Sequence, residues 1–129
     1  MSTIFTKIIK GEIPCYKVAE DDNYFAFLDI NPVQKGHVLV VPKIEEDYIF
    51  RLDDETLSGL TVFAKKVALA IEKAVSCTRV AVAVIGLEVP HVHIHLIPIH
   101  RESDLNFAQK KEVEAEEMAK IAKAIAEQF

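Results

Sequence analysis

Tryptophan is absent from this 129-residue chain, and cysteine occurs only twice, glycine four times and proline five times. Two cysteines, Cys15 and Cys77, are too few for a disulfide scaffold and fit a reducing compartment, so a cytoplasmic location is expected. They are expected to be small buried hydrophobes. Sparse glycine and proline, with no repeat and no Gly/Ser linker, leave no obvious boundary, and residues 1–129 read as a single domain. The chain carries 15 basic and 20 acidic residues, a net charge of -5. It therefore lacks the basic excess of a protein that binds polymeric nucleic acid. No apolar run approaches the roughly 18 residues of a membrane span, and no signal-peptide pattern is present. Half the residues are hydrophobic, enough to form a core without disulfide or metal.

The periodicities predict an α+β domain. Ile4 to Ile9 reads as a short helix with Thr3 or Ser2 as its cap. Cys15 to Ala19 and Tyr24 to Asp29 read as a hairpin across a polar turn, and His37 to Val41 as a third strand ending at Pro42. Asp53 to Val75 carries a helical stripe of Leu57, Leu60, Ala64, Val67, Ala68, Ile71 and Val75, with Asp53 and Asp54 at its start. Arg79 to Ile85 and Val92 to Ile97 read as two more strands, and Lys110 to Phe129 as a C-terminal amphipathic helix. The expected fold is a five-stranded antiparallel sheet with one long central helix, a short N-terminal helix and a C-terminal helix.

Five histidines are present, and four of them fall between residues 91 and 100. His91-Val92-His93-Ile94-His95-Leu96 alternates strictly, so an extended chain places His91, His93 and His95 on one face and the aliphatic residues on the other. Two chemistries fit three imidazoles in a row. A metal site is the first, but His91 and His95 are about 13 Å apart at Cα on an extended strand, poor geometry for one tetrahedral ion. Ligands from elsewhere, such as His37, Glu88 or His100, would be needed. The second is nucleophilic catalysis. Neutral imidazole is a good nucleophile near pH 7, and His93 has a histidine on each side to orient it and to donate to an anionic, phosphorus-centred electrophile.

At these residues the sequence resembles the histidine-triad (HIT) nucleotide-binding family, whose signature alternates three histidines with apolar residues. His91-Val92-His93-Ile94-His95-Leu96-Ile97 matches it at every position. Ile4 to Pro14, Glu20-Asp21-Asp22, Ala26 to Pro32 and Gly36 to Lys43 follow in the family's order, so the resemblance covers residues 3–100. Residues 101–129 form a C-terminal loop and helix outside it. The resemblance implies a homodimer joined sheet edge to sheet edge, a purine nucleotide site, and hydrolysis or transfer at the α-phosphate of nucleoside phosphoramidates or dinucleoside polyphosphates. It implies His93 as the nucleophile, His95 as a phosphate ligand, and His91 with His37 as orienting groups. Asp29 would accept from the ribose hydroxyls. Ile4, Phe5, Ile8, Phe27 and Ile30 would form the base slot, with Leu28 at its edge. No cofactor is implied.

Three departures from the family pattern stand out. Gly86-Leu87-Glu88-Val89-Pro90 replaces the segment that supplies a hydroxyl or amide before the triad. Gly86 and Val89 would still line the nucleotide site, and Glu88 stands where the hydroxyl would be. It could protonate a leaving group if kept neutral, or be an ordinary solvated carboxylate. Second, Arg79 to Ile85 has no counterpart of the family's asparagine. Third, Thr3, Thr6 and Glu45 occupy places where some relatives carry zinc ligands; they are a poor zinc set, so no metal is expected. These departures leave open a nucleotide- or partner-binding protein with negligible turnover, and a metal-dependent small-molecule enzyme.

Overall fold

A computed structural model describes residues 2–129. Helix α1 spans Ile4–Ile9, strands β1, β2 and β3 span Lys17–Glu20, Tyr24–Leu28 and Val38–Pro42, and helix α2 spans Asp54–Ala74. Strands β4 (Arg79–Ala83) and β5 (Ile94–Ile99) follow, then helix α3 (Ala115–Gln128). The five strands form one antiparallel sheet in the order β1-β2-β3-β5-β4, leaving β4 on an edge.

Alternation along the strands sends side chains to two separate cores. One packs Ala26, Leu28, Val38, Val40, Val92, Ile94 and Leu96 against α2 and α3. The other, on the opposite face, gathers Phe25, Phe27, Leu39 and Val41 under Phe5 and Ile8 of α1. Helix α2 begins as expected: the Asp53 side chain accepts from the Thr56 N–H at 2.7 Å, and Asp54 and Glu55 face the positive helix start.

Several boundaries move inward for identifiable reasons. Helix α3 starts at Ala115 rather than Lys110 because the Lys111 N–H is drawn to the Pro32 carbonyl at 2.7 Å, keeping residues 110–114 out of the helix and against the β2–β3 loop. Strand β5 starts at Ile94 because the Val92 N–H bonds the Glu46 carbonyl at 2.7 Å instead of a neighbouring strand. His91 and His93 therefore precede the strand, although the alternation of faces persists through them. Gly36, before His37, has φ +90°, and a Cβ there would lie 3.0 Å from Val75; the close turn into β3 requires glycine on both counts. Cys15 and Cys77 are half-buried rather than buried.

Candidate functional site

The β5 approach carries three buried imidazoles to the α1 side of the sheet, and every assigned ring contact constrains a proton. His93 lies with its Nδ1 2.7 Å from the His91 carbonyl. A carbonyl only accepts, so Nδ1 carries the proton and Nε2 keeps its lone pair. The Val33 N–H donates to His37 Nδ1 at 3.0 Å. His37 is fully buried, and burial, then the neighbouring His95, depress its pKa to about 3. It is therefore neutral with its proton on Nε2, which donates to His95 Nδ1 at 2.9 Å. His95, depressed to about 4 by burial first and His93 second, must then carry its proton on Nε2. The two chains end side by side: a lone pair at His93 Nε2 and a donor at His95 Nε2, on rings whose centroids are 4.9 Å apart. Among the described residues neither nitrogen has a hydrogen-bond partner within the protein.

His91 stands apart from His37. Its Nε2 donates to the Pro42 carbonyl at 2.8 Å and its Nδ1 meets the Thr3 hydroxyl at 2.7 Å. The expected His91–His37 partnership is thus divided: His37 sets His95, and His91 sets His93.

An apolar cluster lies beside the triad, and it gathers fewer of the expected slot residues than the motif names. Phe5 stands edge-on to Phe27, His91 and His93, with its centroid 5.0 Å from His93. Ile8 and Val89 complete this cluster. Ile4 and Ile30 are 48% and 70% exposed, on the rim rather than inside. Leu28 lies on the opposite face, in the α2 core, because its neighbour Phe27 takes the slot side. Gly86, at φ +74°, lies instead along a shallow cleft with Tyr48, Phe50, Val84 and Ile85 that reaches His93 from the β4 side.

Asp29 is half-buried between these groups. Its Oδ1 accepts from the Asn31 N–H at 2.8 Å, which ties one carboxylate oxygen into the turn before Pro32. Its Oδ2 lies 3.7 Å from His37 Nε2 and is not consumed by the turn. Burial pushes the carboxyl up from its ordinary value, opposed chiefly by the Asn31 N–H and then by the Lys110 charge. Glu88 is exposed on the open side, close enough for its charge to be felt at Asp29.

Asp29, His37 and His95 bring one oxygen and two nitrogens within 4.8 Å of one another, a set that could hold an ion. The His37 tautomer opposes it. With Nδ1 accepting from Val33, its Nε2 could bind a cation only by losing its last proton as well.

Residues after the strand also reach the site. Phe107 stands edge-on to His95 at 5.1 Å, and Lys110 lies over the Phe107 ring at 5.2 Å. The Lys110 charge is felt at Asp29, His37 and His95. The Gln34 side chain holds this segment through the Asp104 carbonyl at 2.7 Å. Sequence reasoning missed both residues; a phenylalanine and a lysine in a polar stretch carry no spacing signal. Arg101 and His100 stay outside: Arg101 pairs with Asp104 and His100 with Thr78.

Comparison with known proteins agrees with the geometry. Residues 10–102 match the family model described as the HIT domain. An uncharacterised HIT-like protein of Methanocaldococcus jannaschii is 39% identical over 127 residues, covering 93% of this chain and 98% of its own. A protein of Schizosaccharomyces pombe named adenosine 5'-monophosphoramidase is 42% identical over 99 residues, 76% of this chain and 74% of its own. The crystal structure of a HIT-like protein from Bartonella henselae superposes with a TM-score of 0.87 at 32% identity, covering 99% of this chain and 96% of that one.

Proposed function

Because the chain belongs to the histidine-triad family, we propose that it is a nucleotide hydrolase or transferase acting at an α-phosphate, with purine nucleoside phosphoramidates as its favoured substrates and dinucleoside polyphosphates as the alternative class. One observation carries this reading: His93 holds its proton on Nδ1 against the His91 carbonyl, which leaves Nε2 as a nucleophile beside the Nε2–H of His95. The naming of relatives as AMP phosphoramidases supports the choice of substrate.

In the proposed reaction His93 Nε2 attacks the α-phosphorus. A P–N bond forms to the histidine as the bond to the leaving amine or phosphate breaks, and the leaving group departs with a proton. His95 donates to the phosphoryl oxygen that gains charge. The His91 carbonyl stabilises the positive charge that the attack places on the His93 ring. Water then cleaves the nucleotidyl-histidine, releasing the nucleoside monophosphate and restoring His93. The base stacks over Phe5 and Phe27, Asp29 Oδ2 accepts from a ribose hydroxyl, and the leaving-group proton comes from solvent at the open side where Glu88 stands exposed. Lys110 supplies a cation beside the same anion.

We also propose that the active form is a homodimer formed through β4. That edge strand continues into exposed apolar residues, with Val82 64% and Leu87 89% exposed. After Arg79 this edge carries no charge until Glu88, and such an apolar edge invites pairing with another strand.

The test is turnover of an AMP phosphoramidate and of diadenosine polyphosphate, with and without chelator, by the wild type and by His93→Ala. Wild-type turnover that ignores chelator and is lost in His93→Ala is expected. Binding without turnover would make the protein a nucleotide binder, and loss on chelation would restore a metal-dependent reading.

A further inference from the structure

Thr3, Thr6 and Glu45 lie far apart in sequence from the triad yet meet it through an unbroken hydrogen-bond chain. Glu45 Oε1 accepts from the Thr6 hydroxyl at 2.5 Å and from the Thr3 N–H at 3.0 Å. The Thr6 N–H donates to Thr3 Oγ1 at 3.1 Å, as the cap of α1. The Thr3 hydroxyl also lies 3.2 Å from Thr6 Oγ1, but its single proton goes to His91 Nδ1 at 2.7 Å, because the His91 ring proton is on Nε2 against the Pro42 carbonyl and Nδ1 can only accept. His91 Nε2 is already committed to Pro42. Both nitrogens of a fully buried ring are therefore tied, one to α1 and one to the last residue of β3. The next peptide is tied as well, since the Val92 N–H bonds the carbonyl of Glu46, the residue after Glu45.

We propose that Glu45, Thr6 and Thr3 form a positioning relay that locks His91 and, through the His91 carbonyl, aims His93. The proposal rests on the reading of His93 as nucleophile for its kinetic consequence, though not for its structural one. The relay has a physical purpose. His91 and His93 precede the regular part of β5, so the peptide that carries the His91 carbonyl has no strand ladder and is held only by the Val92 N–H bond to Glu46 and by the anchored His91 ring. Its direction decides where the His93 proton sits and where Nε2 points. A tilt of that carbonyl would free the His93 ring to rotate or to exchange tautomers, and reacting groups displaced by about an ångström lose up to a hundredfold in rate. The relay makes α1 more than a lid on the base slot: the same turn that presents Phe5 to the slot holds the histidine that orients the nucleophile.

The relay reads acceptor and donor geometry rather than charge, which separates it from a general structural role. Glu45→Ala and Thr6→Val remove links, whereas Glu45→Gln and Thr6→Ser keep an acceptor and a donor in place. Glu45 is exposed, so its replacement leaves the core intact. The expected result for Glu45→Ala and Thr6→Val is a kcat lowered about tenfold to a hundredfold, with KM nearly unchanged, and Glu45→Gln and Thr6→Ser recovering most of the loss. The second readout needs no turnover: 15N spectra of the histidine rings. The wild type should show His93 with only Nδ1 protonated, and Glu45→Ala should show a mixture of His93 tautomers. Unchanged kcat and an unchanged His93 tautomer in folded Glu45→Ala would overturn the proposal, as would a Glu45→Gln variant as slow as Glu45→Ala. Should the wild type prove inactive on every phosphoramidate, the spectra alone decide the relay, and the functional reading fails separately.

Discussion

The four site histidines do different work because each has been given a different set of neighbours, and three of those sets imply a cost at acid pH. His37 and His95 are held to about 3 and 4, and His91 is also lowered, in each case mainly by burial. In the unfolded chain all three would titrate near the ordinary histidine value of about 6.5. The sign follows directly. Above that value both states are neutral and the histidines leave stability unchanged. As pH falls from there, the unfolded chain takes up protons that the folded chain refuses, so stability is lost. Each such group costs about 1.4 kcal/mol per pH unit between its unfolded and folded values. Asp29, raised by burial, works in the opposite sense at the acid end of the window, since the folded state keeps its proton more readily. The expected outcome is a Tm that falls steadily from pH 7 to pH 4.5, by less in His37→Gln than in the wild type. A Tm flat across that range would contradict the neutral, buried assignment of His37 and His95.

At the scale of elements, the sheet and α2 were legible because their signals are local. The Asp53 cap and the 3.6-residue stripe mark α2, and β-branched runs ending at Pro42 mark β3. The start of α3 was not legible, because its pattern extends back through Lys110 and a tertiary bond from Lys111 to Pro32 keeps those residues out of the helix. Leu28 was misplaced for a related reason: a family motif names consecutive residues, whereas a strand sends neighbours to opposite faces. The unpaired edge of β4 yields its own expectation. A charge at the centre of that edge should block strand pairing. Val82→Lys is expected to convert a dimeric protein into a monomer in sedimentation analysis at micromolar concentration, with the far-ultraviolet spectrum unchanged. A monomeric wild type, or a Val82→Lys protein that stays dimeric, would contradict assembly through β4.

For the whole molecule, the sheet acts as a partition. One face holds the large aliphatic core against α2 and α3, and the other holds the aromatic slot, the imidazoles and Asp29 under α1. The histidine alternation alone was enough to place the triad on one side of that partition. Which histidine serves which was not readable, since the answer depends on Val33, Thr3 and Pro42, residues whose contribution is a backbone group or a hydroxyl brought from a distance. Phe107 and Lys110 escaped notice for the same reason: they reach His95 only because Gln34 and Pro32 anchor the segment that carries them.

The proposed chemistry turns on a covalent bond to one nitrogen, and trapping it is the most direct measurement. The protein is mixed with excess AMP phosphoramidate, quenched within the first turnover in alkali, digested and analysed by mass spectrometry. The expected result is a single adenylated peptide with the nucleotide on His93, absent from His93→Ala and lost in the wild type once substrate is exhausted. Full turnover with no adduct, or an adduct on any other residue, would contradict His93 as the nucleophile.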